Sequence, residues 1–70
     1  MKKVTTTMAG NVWKIIVAVG DTVTEGQEIA ILESMKMEIP IESTEKGIVR
    51  AILKEEGTFV DEGEALIELD

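Results

Sequence analysis

Seventy residues make a single domain, 1–70, and without a cysteine the chain has neither disulfides nor thiolate-bound zinc to staple it, so its core must be aliphatic. Fourteen acidic against seven basic side chains give a net charge of −7, which repels nucleic-acid phosphates and anionic membranes and suits a basic docking surface on a partner protein. Trp13 and Phe59 are too few aromatics for base stacking, and the longest apolar run, Ile15 to Val19, is too short for a membrane span or signal peptide. No nucleic-acid or membrane partner is expected, and the expected compartment is the cytoplasm.

The first clear strand begins at Gly10, in a run of β-branched residues. Val12 and Ile15 differ in parity and cannot both face inward on a regular strand, so a bulge or strong twist is expected between them. Val19-Gly20-Asp21 and Glu25-Gly26 then read as turns bracketing a very short strand, with glycine supplying positive φ. An apolar run continues to Glu33, and the segment Ser34 to Met37 links it to the next strand. There Met37, Ile39 and Ile41 alternate with Glu38, Pro40 and Glu42, a half-buried strand with one wet face. By this parity Met37 is expected to fill the core. Pro40 lacks a ladder donor and points to a sheet edge.

From Gly47 the chain repeats itself. Residues 47–70 lie over 10–33 without a gap at a constant offset of 37 (Gly47 over Gly10). Identities fall at Gly10/Gly47, Val12/Val49, Ile15/Ile52, Gly20/Gly57, Val23/Val60, Glu25/Glu62, Gly26/Gly63 and Leu32/Leu69. The second copy therefore repeats the turns and the very short strand. The total is about eight short strands in two halves, which an all-β sandwich or flattened barrel with a pseudo-two-fold buries best. Such a rotation exchanges the 34–37 connection with the region of the chain ends, and expects them at opposite poles. Trp13 overlies Arg50, so it is expected to be half-covered at the barrel edge rather than in deep core.

Lys36 thus tops the turn that links the two copies. An exposed amine is a poor nucleophile by itself at neutral pH, and the chain has no histidine or cysteine to assist it. A self-contained enzyme is not expected. A lysine on a rigid hairpin is suited to being acylated by another enzyme, although it could equally be a solubilising strand-end residue that blocks edge association. Met35, at the tip, is expected to be exposed and to mark a contact surface. Capture of Cu(I) by Met35 and Met37 lacks a histidine or cysteine to complete the site.

The stretch Glu33-Ser34-Met35-Lys36-Met37-Glu38, preceded by Val19-Gly20-Asp21 and Gly26 and followed by the matching glycines, resembles the biotinyl/lipoyl attachment domain family over nearly the whole chain. The resemblance implies a barrel-sandwich hybrid of two four-stranded antiparallel sheets. It implies biotin as the covalent cofactor on Lys36, attached by a biotin protein ligase from biotinyl-adenylate. It also implies partnership with a biotin carboxylase and a carboxyltransferase, between which the carrier shuttles a carboxyl group. Met35 and Met37 are the flanks read by those enzymes, and Glu33 is a further recognition candidate that fits the biotinyl and lipoyl subfamilies alike. Lipoyl acceptors usually show Asp-Lys-Ala, which makes lipoate the second choice. An unmodified β-sandwich interaction module is the remaining alternative. Ser34 stands where alanine is usual and Thr7 where proline is frequent, and the gapless offset leaves no room for the protruding thumb of some carriers. A chain of this size resembles a free-standing attachment protein.

Overall fold

A computed structural model describes residues 2–70, and every regular element among them is a β-strand. The strands are β1 (Lys2–Thr5), β2 (Gly10–Ile15), β3 (Thr22–Val23), β4 (Glu28–Ser34), β5 (Met37–Glu42), β6 (Gly47–Ile52), β7 (Phe59–Val60) and β8 (Ala65–Leu69). They form two four-stranded antiparallel sheets, in the orders β1-β8-β6-β3 and β5-β4-β2-β7. Adding the repeat offset turns β2, β3 and β4 into β6, β7 and β8, and relates β1 to β5. The two sheets are therefore one arrangement used twice.

The duplication reaches further toward the N-terminus than residue identity indicates. Buried Thr6 accepts from the Met8 amide and donates from Oγ1 to the Met8 carbonyl, and buried Ser43 does the same with Glu45. The amides of Gly26 and Gly63 donate to the carbonyls of Ser43 and Thr6, both at 2.8 Å. Each half also closes the other. Gly20 N donates to Val49 O at 2.9 Å, and Gly57 N donates to Val12 O at 2.7 Å.

The core follows the same dyad. Val4 and Ile41, Val12 and Val49, Val23 and Val60, Ile29 and Leu66, Ala30 and Ile67, and Leu32 and Leu69 are all buried and are related in pairs. Val17 breaks the pattern, since the related position is Lys54, half-buried and paired with Glu64. The expected irregularity in β2 is a bulge: the pairing of β2 with β4 shifts between Val12 and Lys14, which leaves Trp13 extra, and β6 repeats it at Arg50. The extra residue lets Val12 face inward while Trp13 stays 43% exposed. Trp13 is half-covered, as expected, on β2, which lies between β4 and β7. Pro40 does lie on an edge strand, β5.

Candidate functional site

The β4–β5 hairpin carries the lysine. Ser34 pairs with Met37, so Met35 and Lys36 alone form the turn, at φ of 53° and 65°. Positive φ at both central residues is the geometry that matches the right-handed twist of the flanking strands, and it ordinarily selects Asn-Gly. Here two long side chains occupy it instead. Lys36 is exposed, Met35 is 91% exposed, and the turn projects both into solvent.

Met37 departs from expectation. It shares a face with Ile39 and Ile41, yet it is 61% exposed, Ile39 is half-buried and Ile41 is 4% exposed. Burial falls steadily along this face toward the tip of the hairpin. Met37 is thus a second exposed thioether beside the lysine, and not a core residue.

Below the tip, Glu33 pairs directly with Glu38, and both are exposed. Among the described residues the ion pairs are Arg50–Asp70 at 3.4 Å and Lys54–Glu64 at 2.9 Å, and Lys36 belongs to neither. No group of three or more His, Asp or Glu side chains among the described residues could hold a metal ion. The amine is therefore held in no ion pair among the described residues. On the same face Asn11 pairs with Glu33 on one side and Phe59 on the other. These residues and Gly10, Met35 and Lys36 line an open depression of about 350 Å³. Asn11 and Phe59 were not singled out in the sequence. The available signal was Phe59, an apolar residue at an outward position where the other copy has Thr22.

The duplicated two-sheet frame that carries this turn is matched by family and by fold. The sequence profile of the family described as "Biotin-requiring enzyme" matches residues 2–69. The chain belongs to the biotin/lipoyl attachment family. It is 60% identical over 62 residues to a biotin/lipoyl attachment protein of Bacillus subtilis, covering 89% of this chain and 85% of that one. It is 47% identical over 60 residues to a biotin carboxyl carrier protein of Streptococcus mutans, covering 86% of this chain but 46% of that one. The crystal structure of the Kluyveromyces lactis urea carboxylase superposes with a TM-score of 0.89 at 32% identity, over 99% of this chain and 6% of that one. The attachment domain is a carrier without catalysis of its own, and larger relatives contain it as a small part of their length.

Proposed function

We propose that this attachment domain is a cytoplasmic biotin carrier and that Lys36 is its acceptor. The observation that carries the reading is the turn itself, where Lys36 is exposed at the apex between exposed Met35 and Met37. The residues present fit an amide-linked group, because nothing covers the amine and the strands beneath it hold the turn in register. In the attachment step Lys36 Nζ loses a proton within the ligase and attacks the acyl carbonyl of biotinyl-adenylate. The new C–N bond forms as the C–O bond to phosphate breaks and AMP departs.

Once bound, biotin supplies a ureido nitrogen that can be carboxylated. The chain's own work is to present that group on a stiff hairpin to a biotin carboxylase and then to a carboxyltransferase. Its acidic surface suits basic docking sites on both. The likeness to a biotin carboxyl carrier protein supports biotin. The name of the Bacillus subtilis relative spans both cofactors and supports lipoate as the second reading.

Intact mass after co-expression with a biotin ligase, and separately with a lipoate ligase, distinguishes the two readings. Lys36→Arg is expected to keep the fold and lose the adduct completely, because arginine retains the charge but offers no acylable amine. Avidin binding by that variant would assign the acceptor to another lysine.

A further inference from the structure

Sulfur is distributed unevenly in this chain. Among the described residues the buried core is valine, isoleucine, leucine and alanine, without a methionine, and the chain has no cysteine. The described methionines are Met8, Met35 and Met37, and all three are exposed, Met8 the least of them at 41%. The frame has no need of sulfur at these places. Met8 overlies Glu45 across the dyad, and residues 38–70 contain no methionine although they build the whole second copy. Two of the three flank Lys36, and the Ala9-Gly10 segment that follows Met8 lines the depression beside the same lysine. An oxidant that takes methionine therefore meets the surface around the acceptor and leaves the core untouched.

We propose that Met35 and Met37 are reversible sulfoxidation sites that control the acylation of Lys36, with a peroxide as the oxidant. This rests on the reading of Lys36 as the biotin acceptor and of the two methionines as flanks that the ligase reads. A lone pair on the thioether sulfur attacks one peroxide oxygen, and the S–O bond forms as the O–O bond breaks. The sulfur is oxidised by two electrons, and the second oxygen leaves as water with the proton of the first. The product is a polar, chiral sulfoxide in place of a flexible apolar side chain. Against a surface that receives a thioether, the sulfoxide oxygen is desolvated without a donor, and the penalty falls on recognition by the ligase. The fold bears none of it, because neither side chain belongs to the core. Sulfoxide reductases reverse the step: two thiols become a disulfide, the oxygen departs as water and the thioether returns. Oxidised chains thus remain folded but are withheld from modification until they are repaired.

The test starts from the unmodified whole chain, so that the thioether of biotin itself is not a target. After hydrogen peroxide and then catalase, peptide mass is expected to place the added oxygen on Met35 first and on Met37 next, with the urea midpoint unchanged. Biotinylation by a biotin protein ligase, followed by intact mass, should then fall in kcat/KM by about tenfold or more, the effect of one buried acceptor left unpaired. The two epimer-specific sulfoxide reductases together should return the rate. In Met35→Leu/Met37→Leu, whatever its own rate, peroxide should leave that rate unchanged. Full oxidation of both methionines with no loss of rate overturns the proposal and leaves the acceptor assignment standing. So does a loss that the double variant shares, that follows a fallen urea midpoint, or that the reductases do not reverse. Absence of any biotin adduct on the untreated chain overturns both.

Discussion

Met35 and Lys36 occupy left-handed backbone at φ of 53° and 65°, where a side chain costs about 1–2 kcal/mol per residue relative to right-handed geometry. Glycine would relieve that cost at Met35, less the entropy it adds to the unfolded chain. Met35→Gly is therefore expected to raise stability by about 0.5–1 kcal/mol, read from the urea midpoint. The same variant should be biotinylated more slowly, since it removes a thioether that is 91% exposed and makes no contribution to the core. A variant both less stable and equally well modified would show that Met35 is there for packing. On the proposed reading, strain that one substitution would relax is kept at this turn because partner enzymes recognise the Met35 side chain.

At the level of elements, glycine punctuation and β-branched runs made the short strands and the linking turn legible, and the clash of parity between Val12 and Ile15 announced the bulge at Trp13. Other features were hidden for physical reasons. Alternation assigns Met37 to a face but cannot tell how far along that face burial extends. The kinship of β1 with β5 leaves almost no identity, because Lys2 and Lys3 correspond to Ile39 and Pro40, and it survives in the bonds of Thr6 and Ser43 instead. Asn11 and Phe59 meet only through strand pairing between distant segments. Gly10 and Gly47 were read correctly as paired marks, but their role is close approach rather than turning. A Cβ would lie 2.9 Å from Glu33 O at Gly10 and 2.7 Å from Asp70 O at Gly47. Since backbone must yield in either case, Gly10→Ala is expected to cost about 1–3 kcal/mol in chemical denaturation. A neutral result would mean that β2 and β4 can separate without penalty.

Across the whole molecule the dyad repeats the frame but not the charge, and this supplies an internal control for acid stability. In the first half the Thr24 amide donates to Gln27 Oε1 at 3.1 Å. In the second half the Asp61 amide donates to the carboxylate of Glu64, which Lys54 Nζ also meets at 2.9 Å. The backbone bond from Asp61, and then the Lys54 hydrogen bond, hold the Glu64 carboxyl below its ordinary value of 4.5 against an opposing desolvation. A carboxyl depressed on folding binds its proton more weakly in the native state. Its contribution is complete above pH 4.5 and is lost as pH falls through the native value. Glu64→Gln, which copies the first half, keeps an acceptor for the Asp61 amide but cannot titrate. The variant should therefore be less stable than wild type at neutral pH, and the gap should close as the pH drops below about 4.5. Urea midpoints of the two chains across that range measure the gap directly, and the acidic residues common to both chains largely cancel in the difference. A gap that stays constant through the acid range would mean that Glu64 acts through shape alone, as Gln27 does, and that the ammonium of Lys54 is a bystander.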